Sequence, residues 1–299
     1  MEIKTKILRE LSKNFRISMS ELARRLKITR EKADREIIKL QRDTIIERLG
    51  VTLNPGKFGY ETWQIYISLD GSKKESNRDV QRFFKQNKLI VKTLRTIGQY
   101  DYVISVVGKN SIQVNGVVNQ LKKELNVKKI KQVLLIPSDS DFSNKSISSA
   151  DKKIISALTD NARLTLKEIS QKTKLTQRVV GYRLNELLRK EILISDLNFN
   201  SSKLGLEKYK LLINNIGDVN ELVNFIEKNL DKNSLLFNYN KTLGAHEIEL
   251  DLVVKNHSEL VMLENKLMDY FRVDVLHLLE DELYDVSHVD NFEEVLKSI

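Results

Sequence analysis

The most sharply patterned stretch of apolar and polar positions in the chain is residues 165–196. Thr165 followed by Glu168 has the spacing of a capping box, which predicts a helix from Leu166 with Ile169 on its apolar face, stopping near Lys174–Leu175. Thr176 is placed to cap a longer helix in which Val180, Leu184, Leu187 and Leu188 recur at helical spacing. Two helices joined by a short turn form a helix-turn-helix, whose second helix enters the DNA major groove. The β-branched run Ile192-Leu193-Ile194 predicts the first strand of a small wing.

The same pattern opens the chain. Ile3, Ile7, Leu8 and Leu11 predict an amphipathic helix, and Ser18 with Glu21 predicts a capping box for a second helix ending near Leu26. Thr29 then caps a third, with Ala33, Ile37 and Leu40 inward and Arg30, Lys32, Arg35, Lys39 and Arg42 outward. Ile45-Ile46 and Val51-Thr52-Leu53 predict two short wing strands, ended by the Asn54-Pro55-Gly56 turn.

From residue 59 the pattern becomes mixed. Strand Thr62–Leu69, helix Asp79–Lys88, strands Leu89–Ile97 and Tyr102–Val107, helix Ile112–Leu125 and strand Val127–Ile136 give the order βαββαβ, the ferredoxin-like split motif. One face of such a sheet is covered by its two helices, and the other has to be buried by another copy. Residues 137–149 are polar and Ser-rich, the composition of a linker.

Then the pattern restarts. A shift of 147 maps Ile7 to Ile154, Arg16 to Arg163, Glu21 to Glu168, Thr29 to Thr176 and Leu40 to Leu187. After the wing a shift of 146 maps Gly59 to Gly205, Thr96-Ile97-Gly98 to Thr242-Leu243-Gly244 and Val107 to Val253. The second βαββαβ runs through Lys208–Asn214, Val219–Leu230, Leu235–Thr242, Ile248–Val254, Ser258–Phe271 and Val273–Leu279, and the acidic tail after it predicts a strand and a terminal helix. The chain therefore reads as an internal tandem. The expected class is α+β, with winged helix-turn-helix domains at 1–54 and 150–203 alternating with ferredoxin-like βαββαβ domains at 55–137 and 204–299, and a linker at 138–149.

Charge sharpens this picture. The net charge of +9 is distributed as +6 over residues 1–54, +8 over 55–149, +5 over 150–203 and −10 over 204–299. Both helix-turn-helix candidates are basic and suited to phosphate, and the C-terminal quarter is acidic. With no cysteine, disulfides, thiolate zinc sites and a cysteine nucleophile are excluded. The four histidines, His246, His257, His277 and His288, share no chelating spacing, so neither a metal nor a cofactor is expected. No apolar run approaches the roughly 18 residues of a membrane span, and no signal peptide opens the chain, so a cytoplasmic protein is expected.

A helix-turn-helix followed by a βαββαβ domain with a Gly-x-x-Asp turn between its second and third strands resembles the leucine-responsive regulator (Lrp/AsnC) family. The residues that carry the match are LTQRVVGYRLNELLRKEILISD (175–196) and TLRTIGQYDYVISVVGKN (93–110). The resemblance implies a transcription factor that binds double-stranded DNA through its N-terminal module. It also implies a ferredoxin-like (RAM) domain that pairs sheets into dimers or higher assemblies. In many members a small molecule, often an amino acid, is sensed near the Gly-x-x-Asp turn. The sequence departs from the family pattern at three places. Arg183-Leu184 has Glu36-Ile37 as its first-half counterpart, Gly244-Ala245-His246-Glu247 ends in a longer acid, and helix Ser258–Phe271 belongs to an acidic domain.

The residue types single out Arg30, Lys32 and Arg35, and Gln177, Arg178 and Tyr182, in the first turns of the two recognition helices for base and phosphate contact. Lys39, Arg24 and Arg25 suit phosphate, and Arg183 either contacts DNA or pairs with Glu186. Gly98, Tyr100, Asp101, Gly244, His246 and Glu247 are effector candidates only through the resemblance; from the residues alone they are strand connections. Trp63 reads as core or interface.

The leading expectation is a regulator whose single chain imitates a dimer and reads an asymmetric site. Siroheme decarboxylases resemble the same two-domain layout and sometimes occur as fused halves. Such an enzyme would need convergent His and Arg, yet the first half has no histidine, so an enzyme is not expected. A ligand-sensing or scaffold protein that has lost DNA binding in one half is the third alternative, favoured by Glu31, Asp34 and Glu36 on the first recognition helix.

Overall fold

The computed structural model describes residues 3–70, 77–136, 147–214, 219–229, 236–268 and 271–279, and the acidic tail expected to add a strand and a helix lies outside them. The first half contains α1 (Ile3–Lys13), α2 (Met19–Leu26), α3 (Arg30–Arg42), β1 (Ile46–Leu53), a 3-10 turn at Pro55–Phe58, β2 (Glu61–Leu69), α4 (Asn77–Gln86), β3 (Ile90–Ile97), β4 (Tyr102–Gly108), α5 (Ser111–Glu124) and β5 (Val127–Ile136). The second half repeats that order. It contains α6 (Ser149–Leu158), α7 (Leu166–Thr173), α8 (Gln177–Arg189), β6 (Leu193–Phe199), a 3-10 turn at Ser202–Leu204, β7 (Glu207–Asn214), α9 (Val219–Asn229), β8 (Leu236–Gly244), β9 (Ile248–Val254), α10 (His257–Met268) and β10 (Arg272–Leu278). In space these elements fall into two compact units, each assembled from both halves of the chain.

The first unit holds the two three-helix modules. Their starts are set by side-chain oxygens that satisfy otherwise unpaired helix N–H groups. The Thr29 hydroxyl accepts from Lys32 N at 3.2 Å, and the Thr176 hydroxyl from Val179 N at 3.4 Å. Thr165 and Glu168 form the full reciprocal box, with Thr165 N donating to the Glu168 carboxylate at 2.7 Å. The expected box at Ser18 is only half made. Ser18 Oγ accepts from Glu21 N, but the Glu21 carboxylate turns instead to Arg24 and Arg25 at 2.7–2.8 Å. Two guanidinium groups are stronger partners for a carboxylate than a neutral backbone N–H. Lys27 and Lys174 end α2 and α7 in the left-handed conformation, with φ of 53° and 58°. Buried Ile7, Leu8, Leu11, Leu22, Ile37 and Leu40 form one module's core, and Ile154, Ile155, Leu158, Ile169, Leu184 and Leu187 occupy matching positions in the other.

The wings differ from the sequence reading. Each module contributes a single long strand, and β1 pairs antiparallel with β6 from Leu53↔Leu193 to Ile46↔Phe199. A strand edge left open in each module is closed by its counterpart, which local patterning cannot show because the partner is distant in sequence. Two arginines reinforce the pairing reciprocally. Arg16 Nη1 donates to the carbonyls of Ala162 (2.6 Å) and Leu164 (3.1 Å), and Arg163 Nη1 donates to those of Phe15 (3.0 Å) and Ile17 (3.1 Å).

The second unit holds the sheets. Strands β3-β4-β2-β5 form one antiparallel sheet and β8-β9-β7-β10 the other. They join edge to edge at β5–β8 and at β10–β3, closing into an eight-stranded barrel. Alternation sorts each strand's side chains to two faces. Ile65, Ile67, Ile104 and Val106 pack under α4 and α5 with Val80, Phe84, Val117 and Leu121. Leu211, Ile213, Leu250 and Leu252 pack under α9 and α10 with Leu222, Ile226, Leu260 and Leu267. The opposite faces meet inside the barrel around Tyr66, Tyr100, Val103, Val133, Leu212 and Leu276. The open face expected on each sheet is thus buried by the other sheet of the same chain.

Candidate functional site

The first unit presents α3 and α8, the two helices that the sequence pattern offers for DNA recognition. On α3, Arg30, Lys32, Arg35 and Lys39 are exposed, as the apolar spacing predicts. They stand among acids. Arg30 Nε lies 3.8 Å from Asp34 Oδ2, and the Glu31 carboxyl is held below its usual range by its own backbone N–H and by the Thr29 hydroxyl. On α8, Gln177, Arg178 and Tyr182 are exposed, and no acid stands in the first turn. Arg183 is not paired with Glu186. Its Nη1 lies 3.7 Å from Oδ2 of Asp151, whose carboxylate completes the capping box that Ser148 begins at the start of α6. Glu186 is taken by Arg189 (3.1 Å) and Lys190 (3.0 Å), whose hydrogen bonds bring its carboxyl down to about 2. Arg24 and Arg25 are exposed, but both are clasped by Glu21, and Arg25 also reaches Glu10 at 2.9 Å.

In the second unit the two Gly-x-x-acid turns occupy the seams where the sheets join. Gly98 has φ 144° and Gly244 φ 137°, in a region that disfavours any side chain. A Cβ on Gly98 would come within 3.0 Å of Leu276 and the Val275 carbonyl, and one on Gly244 within 2.8 Å of the Gln132 carbonyl. The turns share one scaffold. Thr96 Oγ1 donates to the Tyr100 carbonyl at 2.7 Å and Thr242 Oγ1 to the His246 carbonyl at 2.5 Å. Asp101 Oδ2 accepts from Leu69 N at 2.7 Å, and Glu247 N donates to the Ile213 carbonyl at 3.0 Å. Tyr100 and His246 are both buried, pointing into the barrel against Tyr66 at ring distances of 5.4 and 5.3 Å.

The barrel interior also holds a charged cluster that residue-by-residue reading missed. Fully buried Glu249 accepts a hydrogen bond from Tyr66 Oη at 2.5 Å on Oε1, which also lies 3.1 Å from His246 Nε2. Its Oε2 lies 3.1 Å from Lys210 Nζ, and Lys210 reaches Asp251 Oδ1 at 2.7 Å. Burial opposes charge on Lys210, but Asp251 and Glu249 outweigh it and raise its pKa. Burial likewise opposes charge on Glu249, and Lys210, His246 and Tyr66 outweigh it, so its pKa is lowered. The same carboxylate, after burial, pushes the Tyr66 hydroxyl well up. Both acids alternate with apolar residues in Ile248–Val254, a signal legible only once both faces of that strand are known to be buried. Among the described residues no group of three His, Asp or Glu side chains is arranged to hold a metal ion, and no helix is long and apolar enough to cross a membrane.

No curated protein matches the sequence. A solved structure of the siroheme decarboxylase NirDL is similar over 99% of this chain and 97% of its own, with 13% identity and a TM-score of 0.60. NirDL in complex with an iron-uroporphyrin III analogue gives 98%, 97%, 14% and 0.59. LrpC of B. subtilis matches 45% of this chain and 95% of its own, with 20% identity and a TM-score of 0.38. The expectation that the chain is not an enzyme is therefore corrected, because its fold over nearly the whole length is that of an enzyme. The model of the winged helix-turn-helix DNA-binding family matches residues 2–39 and 147–194. The chain carries a winged helix-turn-helix DNA-binding domain in each half.

Proposed function

We propose that the chain is a DNA-binding transcriptional regulator of Lrp/AsnC type, in which two duplicated, non-identical readers on one chain act as a pseudo-dimer. The observation that carries this reading is the family match at both modules, with both recognition helices open to solvent. The reciprocal Arg16 and Arg163 bonds and the β1–β6 pairing hold the modules as a pair, the arrangement that two half-sites on a duplex require. Further association of copies and modulation by a small-molecule effector such as an amino acid belong to the same reading. Its test is binding to random genomic fragments across a salt series, followed by sequencing of the retained pool. The expected result is an enriched, asymmetric motif whose affinity falls steeply with salt. No enrichment, with or without added amino acids, overturns it.

One observation favours a second reading, an enzyme acting on a siroheme-like tetrapyrrole: the likeness to NirDL spans both chains almost completely. The barrel interior supplies His246, Lys210, Tyr66 and Tyr100. A polycarboxylate there would have to compete with Glu249 for His246 and Lys210, which is why this reading ranks second. A visible absorption shift when siroheme is added, with loss of carbon dioxide from it, would place this reading first.

A further inference from the structure

The two recognition helices occupy equivalent places in the fold but present opposite surfaces. Over its first seven residues α3 reads Arg30-Glu31-Lys32-Ala33-Asp34-Arg35-Glu36, three cations against three anions. Arg30 Nε stands 3.8 Å from Asp34 Oδ2, and Glu31, its carboxyl held below the usual range, offsets the positive end of the helix dipole. The matching stretch of α8 reads Gln177-Arg178-Val179-Val180-Gly181-Tyr182-Arg183, two cations and no anion. Arg178 has no ion-pair partner among the described residues, and the positive end of the helix is unopposed.

The uncharged positions differ as well. Under the 147-residue shift Lys32 and Arg35 become Val179 and Tyr182, which are 39% and 65% exposed. An exposed aliphatic side chain at the start of a recognition helix does little for solubility, but it is what meets a thymine C5-methyl group. Gln177 beside it offers the donor and acceptor that match adenine N6 and N7, and Arg178 matches guanine O6 and N7. By contrast, the first seven residues of α3 expose no uncharged side chain to a base edge, and their cations alternate with acids.

We propose that α8 is the sequence reader and that α3 adds no base readout, so that the bound DNA element carries its base information in one half. Gln177 and Val179 select A·T pairs there. This rests on the DNA-binding reading above. The test repeats the fragment selection with the wild-type chain, Gln177→Ala, Val179→Ala, and a Lys32→Ala, Arg35→Ala double variant. All four positions are exposed, and melting curves matched to wild type confirm the fold. Gln177→Ala and Val179→Ala are expected to flatten one motif position each, with discrimination there falling about 10-fold for Gln177→Ala and less for Val179→Ala. The double variant is expected to weaken binding to all sequences alike, lower the salt slope by about 1 to 2, and leave the motif intact. A wild-type motif with equal information in two halves, or one erased by the α3 variant and kept by the α8 variants, overturns the proposal and leaves DNA binding standing. A wild-type chain that retains no fragment overturns both.

Discussion

Strands β2 and β4 of the first sheet and β7 and β9 of the second place their residues identically, and their two faces have met different fates. Facing the helices, Ile65, Ile67, Ile104 and Val106 correspond to Leu211, Ile213, Leu250 and Leu252, all aliphatic and all buried. Facing the barrel interior, Gln64, Tyr66, Val103 and Ser105 correspond to Lys210, Leu212, Glu249 and Asp251. The helix-facing layer admits little variation because a helix of fixed radius must lie on it. The interior face is closed by the opposite sheet, so a charge in one half can be answered by a partner in the other, as Tyr66 answers Glu249. Backbone symmetry is kept and chemical symmetry is lost, with the charged residues among these eight positions, Lys210, Glu249 and Asp251, all in the second half.

The largest test of that asymmetry is to remove its centre. Glu249→Ala leaves Lys210 buried with Asp251 alone and strips Tyr66 and His246 of their acceptor, so a loss of about 3–5 kcal/mol is expected in chemical denaturation. Val103→Ala, at the equivalent place, removes only apolar contact and is expected to cost at most about 1–3 kcal/mol. Equal losses would mean that the charged cluster adds nothing to the packing it replaces.

A second test compares the seams. Gly98→Ala and Gly244→Ala each force a side chain into a left-handed, crowded position, and each is expected to destabilise by about 1–3 kcal/mol. Gly244→Ala should cost more, because its nearest obstacle is a backbone carbonyl at 2.8 Å.

Acid should sharpen the comparison further. Glu249 has a folded pKa below its unfolded value, so its stabilisation is fully present above the unfolded value of about 4.3 and is lost as the pH falls through the lowered folded value. The melting temperature of the wild type should therefore fall more steeply below about pH 4 than that of Glu249→Gln. Parallel curves would show that the carboxylate is not stabilised in the fold.

The smallest effect is a control in which the halves should agree. Lys27→Gly and Lys174→Gly relieve left-handed backbone at equivalent turns, and each is expected to stabilise by up to about 1 kcal/mol. A marked difference between them would extend the asymmetry to the backbone.

The sequence carried most of the element order, because Ile7, Leu11, Ile154 and Leu158 repeat at helical spacing and Ile65, Ile67, Leu211 and Ile213 alternate. The caps at Thr29, Thr165 and Thr176 were legible for the same reason, since a cap is a contact over three residues. What local patterning could not show were contacts between distant residues. The wing strands pair across the two modules rather than within them, and Tyr66 meets Glu249 across 183 positions. Local spacing offers Arg183 either DNA or Glu186, its neighbour on the helix, whereas Asp151, 3.7 Å away, sits on another helix altogether. Local spacing reports faces and caps; partners chosen by topology leave no local mark.

The pairing of β1 with β6 has a consequence for dose. When two readers meet from separate chains, the doubly armed species forms as the square of their abundance and dissolves on dilution. Here both strands belong to one polypeptide, so their encounter is intramolecular and does not depend on how many copies are present. Any target that needs both modules together should be occupied in direct proportion to copy number, down to a few molecules per cell, without the threshold that a two-chain reader imposes.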